Sequence, residues 1–93
     1  MITSEEFKQN VRGIAKEIGV TFKEIHIRKM ERKWASCSSK GRLTFDFSLL
    51  NEPKKVRLRI ILHELLHFKY PNHGRMFKIL LNIYLKKIKK ESR

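Results

Sequence analysis

The amino-acid sequence predicts an α+β fold: an N-terminal helix, a small sheet of about three strands with a hairpin, a central helix and a C-terminal helix. Three observations lead there. Apolar residues near the N-terminus recur at helical spacing. Through the middle they alternate with polar ones. In the second half they return to helical spacing, interrupted once by a proline. With 93 residues, the chain is expected to be one domain spanning 1–93, with a thin core.

The elements follow in order. Thr3 and Glu6 make a Thr-x-x-Glu capping box that opens a helix. Phe7, Val11, Ile14, Ala15 and Ile18 form its apolar stripe, and Gly19 stands where a glycine ends a helix. Ile25 and Ile27 alternate with Glu24, His26 and Arg28, a strand period that turns His26 toward solvent. Trp34 to Ser38 is a short strand, Ser38-Ser39-Lys40-Gly41 is turn chemistry, and Leu43, Phe45 and Phe47 alternate with Thr44 and Asp46. The segments 33–38 and 42–47 therefore read as a hairpin whose second strand has an apolar face. Trp34 is expected to pack in the core.

Asn51-Glu52-Pro53 starts the next helix, with Asn51 or Glu52 as cap and Pro53 in the first turn. Val56, Leu58, Ile60, Ile61, Leu62, Leu65, Leu66 and Phe68 leave it apolar around most of its circumference, so it should be central. Tyr70-Pro71-Asn72 ends it. The last helix aligns Phe77, Leu80, Leu81, Tyr84 and Ile88 on one face. The cations of its tail, Lys86, Lys87, Lys89 and Lys90, complement the negative end of the helix dipole.

Composition narrows the function classes. There are 22 Lys+Arg against 9 Asp+Glu, a net charge of +13, which favours an anionic partner: nucleic acid, an acidic protein or a membrane surface. Cys37 is the single cysteine, which excludes a disulfide framework within the chain. No apolar run is longer than Ile60-Ile61-Leu62, far short of the roughly 20 residues of a transmembrane helix. The first residues have neither a basic nor an apolar region of signal-peptide type, so a cytoplasmic location is expected.

The segment that carries chemistry is His63-Glu64-Leu65-Leu66-His67, an H-E-x-x-H pattern inside the most apolar helix. Residues four apart share a helical face, so both imidazoles reach one ion. Glu64 points beside that ion, where it can take a proton from an attacking water. Burying three polar groups among Leu, Ile and Val is costly unless something satisfies them, and a metal does so. A catalytic zinc takes three protein ligands and keeps an open position. His73, six residues after His67 and beyond the Pro71-Asn72 turn, is the expected third ligand; the only later glutamate is Glu91. Zn²⁺ is the expected cofactor.

Two segments together resemble a known family. Lys33-Trp34-Ala35-Ser36-Cys37-Ser38-Ser39-Lys40-Gly41-Arg42-Leu43 resembles the R-W-G-S-C-S-S-K-G-R-L segment of the YgjP-like metallopeptidases. His63-Glu64-Leu65-Leu66-His67, followed by Asn72-His73-Gly74 and Phe77, resembles that family's H-E-L-x-H, N-H-S and downstream Phe. The arrangement is also similar to that of WLM and SprT-like proteases, which act on DNA–protein crosslinks. The resemblance implies a minimal zincin-like fold, zinc ligands at His63, His67 and His73, and Glu64 as general base. Ala35 replaces the usual Gly, Gly74 the usual Ser, and most of the family's N-terminal region is lacking. The histidine spacing equals that of metzincins, but Tyr70 occupies their glycine position and no Met-turn follows, so that assignment is rejected.

Around this centre, Tyr70 and Arg75 flank the third ligand and are candidates for stabilising an oxyanion. Trp34, Ser36 and Cys37 are candidates for a strand that pairs with extended substrate at the cleft edge. Three functions are in play. The first is a zinc peptidase acting on protein or peptide substrates. The second is a nucleic-acid-associated protein making non-specific contact through runs such as Lys54-Lys55-Val56-Arg57-Leu58-Arg59. The third is a zinc-stabilised domain with little activity, disfavoured by the open coordination position and by Glu64.

Overall fold

The computed structural model describes residues 1–70 and 74–91, with side chains in the last helix through residue 87. The elements run α1 (Ser4–Ile18), β1 (Glu24–Arg28), β2 (Ala35–Cys37), β3 (Arg42–Asp46), a 3₁₀ turn (Phe47–Asn51), α2 (Lys54–Lys69) and α3 (Arg75–Glu91). The predicted α+β architecture is the one observed. Three helices accompany a three-stranded mixed sheet of order β1-β3-β2.

Local chemistry explains α1. The Thr3 hydroxyl accepts from the Glu6 N–H at 3.1 Å. Phe7, Val11, Ile14, Ala15 and Ile18 are all buried on one stripe. Gly19 closes the helix at φ 72°, donating to the Ala15 and Lys16 carbonyls. The hairpin turn also behaves as its residues suggest. Ser38 Oγ accepts from the Lys40 and Arg42 N–H groups, both at 3.3 Å. Gly41, at φ 90°, places its carbonyl 2.8 Å from the Lys23 N–H. A Cβ at Gly41 would lie 3.1 Å from that same nitrogen, so the close approach of β1 to the turn requires glycine.

β3 is central, parallel to β1 and antiparallel to β2. Ile25, Leu43, Phe45 and Ala35 line its helix-facing side. Phe7 of α1 meets Phe45 edge-on, with ring centroids 5.0 Å apart. The core continues into Leu58, Ile61, Leu62, Leu65 and Leu66 of α2 and Phe77 and Leu81 of α3. Two ties hold the helices together: Lys69 Nζ donates to the Ile18 carbonyl at 3.1 Å, and Lys87 pairs with Glu17 at 2.7 Å.

Several expectations are corrected. Trp34 is 46% exposed and not in the core, because it precedes the short strand β2 at the edge of the sheet. Phe47 is 51% exposed and leaves the strand pattern, since Asp46 turns the chain into the 3₁₀ segment by accepting from the Ser48 N–H and hydroxyl. Neither Asn51 nor Glu52 caps α2. Pro53 is the N-cap, without a side-chain hydrogen bond, and its carbonyl takes the Val56 and Arg57 N–H groups. Arg57, read as part of a cationic run, is buried and donates to the Glu52 carbonyl at 2.6 Å. Lys87 acts through Glu17 of α1 as well as through the dipole of its own helix. Ile88, Lys89 and Lys90 lie outside the described side chains.

Candidate metal centre

α2 presents two faces with different chemistry. Leu58, Ile61, Leu62, Leu65 and Leu66 are turned into the core. His63, Glu64 and His67 lie on the flank beside it, each half-buried. The expectation that these three are sunk among aliphatic side chains is thus modified: they border the core and stay within reach of solvent, as a reacting centre must. Their candidate ligand atoms all lie within 4.8 Å of one another. The two imidazoles meet edge to face with centroids 4.8 Å apart. His63 Nδ1 is 3.7 Å from the Glu64 carboxylate.

α3 supplies a wall. Phe77 is 3% exposed, and its ring lies 5.2 Å from both His63 and His67, centroid to centroid. An aromatic packed against both rings restricts their rotation, so the imidazoles are oriented before any ion arrives. Sequence reading placed Phe77 only on the apolar face of its helix and as the family's downstream Phe. Its contact with both histidines needs the tertiary arrangement.

β2 supplies a second neighbour. Cys37 pairs with Leu43 on the helix-facing side of the sheet, and β2 packs against α2. The Cys37 thiol is thereby placed within the electrostatic reach of the Glu64 carboxylate. Burial, then the neighbouring Glu64 carboxylate, push the thiol above its ordinary pKa. It is therefore held protonated, which makes it a donor and a poor nucleophile. Ser36 points to the opposite side of the strand, opposite Thr44. His26, read as solvent-facing, is so: its side chain is 50% exposed and pairs with Glu24 at 2.5 Å, on the strand at the other edge of the sheet from β2.

Tyr70 ends α2 and packs partly against the core, while Arg75 is exposed in the first turn of α3. His73, the expected third ligand, lies outside the described residues. The chemistry of the described donor set nonetheless fits a borderline metal: two imidazole nitrogens one helical turn apart, with a carboxylate beside them.

A compact α+β domain with paired histidines and a glutamate on its central helix defines a metal-dependent hydrolase of the H-E-x-x-H type. The YgjP-like metallopeptidase domain pattern matches residues 2–93. The chain belongs to that family and is a metallopeptidase. No curated protein matches it significantly. Among solved structures it is similar to the metallopeptidase zymogen jannalysin of Methanocaldococcus jannaschii, with TM-score 0.73 and 27% identity over 94% of this chain and 97% of that one. It shares its fold with the metallopeptidase zymogen abylysin of Pyrococcus abyssi, with TM-score 0.72 and 22% identity over 91% of this chain and 90% of that one. No helix among the described residues is long and apolar enough to cross a membrane.

Proposed function

We propose that the protein is a zinc peptidase of the cytoplasm that cleaves protein or peptide substrates, with residues 1–93 as one catalytic domain. His63, His67 and His73 hold the ion and Glu64 is the general base. The observation that carries this reading is the His63–Glu64–His67 grouping within 4.8 Å on a helix whose other face is core. When bound there, zinc would polarise the scissile carbonyl and acidify the attacking water.

The remaining work falls to the chain. Glu64 takes a proton on a carboxylate oxygen and returns it to the leaving amine. The protonated Cys37 thiol, within reach of the Glu64 charge, is the group placed to donate to that carboxylate. Phe77 keeps the imidazoles in place and excludes water behind them. β2, an edge strand with no further strand beyond it among those described, offers its free side to an extended substrate. Trp34, Ser36 and Cys37 are on that strand or at its start. Tyr70 and Arg75 are assigned to the developing oxyanion.

Glu64→Gln tests the reading. It should retain zinc, measured by metal analysis of the purified protein, and lower kcat by about 10²–10⁴. Cleavage at the parental rate by this variant means that Glu64 is not the base. A second reading, non-specific nucleic-acid contact, draws on the charge of +13. It requires binding that weakens steeply with salt.

A further inference from the structure

The start of β2 carries features that the metal centre does not use. Trp34 is 46% exposed. It walls a hollow of about 260 Å³ together with Arg32, Lys33 and Glu31, over Met30, Asp46 and Ser48. From Arg28 to Lys33 the chain carries four cations, Arg28, Lys29, Arg32 and Lys33, against one carboxylate, Glu31. All four cations are exposed, and none forms an ion pair with another described residue. Asp46 turns its carboxylate to the Met30 N–H at 2.7 Å and to Ser48, and of the four cations its charge is felt by Lys29. An exposed indole beside unpaired cations is an unfinished surface.

Its position relates it to the reaction. Trp34 is three residues from Cys37, on the strand that packs against α2, where the Cys37 thiol feels the Glu64 charge. At roughly 3.3 Å per strand residue, the hollow lies about 10 Å along the edge strand from the general base. A peptide paired with β2 and cleaved beside Glu64 would pass over Trp34 about three residues from the scissile bond. Charge complementarity names the side chain it should bring there.

We propose that Trp34, Arg32 and Lys33 form a specificity subsite for an acidic residue of the substrate, flanked by an apolar one that covers the indole. This rests on the peptidase reading above and adds the substrate class: acidic protein segments in extended conformation. Arg32 and Lys33 hold the carboxylate, and Trp34 supplies rigid apolar area at low entropic cost.

Trp34 is the only tryptophan, so its fluorescence reports the subsite directly. The Glu64→Gln variant, which leaves peptide intact, is titrated with a Glu-containing peptide, its Gln counterpart and a single-stranded oligonucleotide. At low salt the Glu peptide should shift Trp34 emission and bind about tenfold more tightly than the Gln peptide. Arg32→Glu combined with Lys33→Glu should abolish that difference. Equal affinity for the two peptides, no response of Trp34, or tighter binding of an oligonucleotide of equal charge would each overturn the subsite. A parallel arm measures kcat/KM of the unaltered enzyme on peptides with Glu or Gln about three residues to either side of the cleaved bond. Cleavage without Glu preference removes the subsite and keeps the peptidase. A Glu-selective Trp34 response without cleavage of any peptide keeps the subsite and removes the peptidase reading.

Discussion

Helices α1 and α2 are almost equal in length, 15 and 16 residues, and obey local rules to very different degrees. α1 has a capping hydroxyl, acidic residues in its first turn, one buried apolar stripe and a glycine in the left-handed conformation at its end. Every one of those features stabilises the helix or its packing. α2 has no side-chain cap, a buried arginine near its start, and two histidines and a glutamate beside its core face. Its stability comes instead from tertiary burial of Ile61, Leu62, Leu65 and Leu66, each fully buried. The contrast separates scaffold from site: where local rules explain every residue the helix only packs, and where they fail the leftover residues converge on one point.

The strongest test of that contrast removes packing from α2. Leu65→Ala takes a fully buried side chain from the centre of the helix. It should cost about 2–5 kcal/mol in chemical denaturation. Leu65 is adjacent in sequence to Glu64 but points into the core, so metal content per folded molecule should hold. A loss of metal without a loss of stability would show that the two faces of α2 are not separate.

A smaller effect is expected from α1. Thr3→Ala removes the hydroxyl that accepts from Glu6 and should cost about 1 kcal/mol. kcat should not change, because Thr3 only anchors a packing helix. A drop in kcat at unchanged metal content would mean that α1 positions the site as well as supporting it.

The same division governs what could be read in advance. Thr3, Glu6 and Gly19 act within a few residues of themselves, so the chain shows their roles without its fold. The H-E-x-x-H spacing is likewise local, one helical turn seen in one dimension. Trp34 was misplaced because its exposure depends on which strand ends the sheet, and that order is set by the pairing of β3 on both sides. Arg57 was read as surface charge because its burial depends on the Glu52 carbonyl left open at an uncapped helix start. The contact between Cys37 and Glu64 joins residues 27 apart in number, and no periodicity reports it. Phe77 sits against both histidines only because α3 packs back on α2.

The proximity of Cys37 to Glu64 sharpens the contrast at its finest point, since it couples a scaffold strand to the flank of α2 that carries His63, Glu64 and His67. Burial is the largest cause of the raised thiol pKa, and the Glu64 carboxylate adds to it. The sign follows directly. A raised pKa keeps the thiol neutral through the neutral range, so labelling by a thiol-directed reagent should be slow near pH 7 and accelerate as pH rises. Glu64→Gln removes the charge while leaving the burial, so the pKa should fall only part of the way. At fixed pH and equal metal loading, Cys37 in that variant should label faster, by about a few-fold. Cys37→Ser keeps a hydroxyl donor toward Glu64 and Cys37→Ala removes it. Activity should therefore be better preserved in the serine variant, with the alanine variant lower by only a few-fold in kcat, because an S–H is a weak donor. Identical labelling rates with and without the Glu64 charge would show that the thiol is shielded by burial alone. In that case β2 supports α2 by packing, and the orientation of the Glu64 carboxylate is set from within α2.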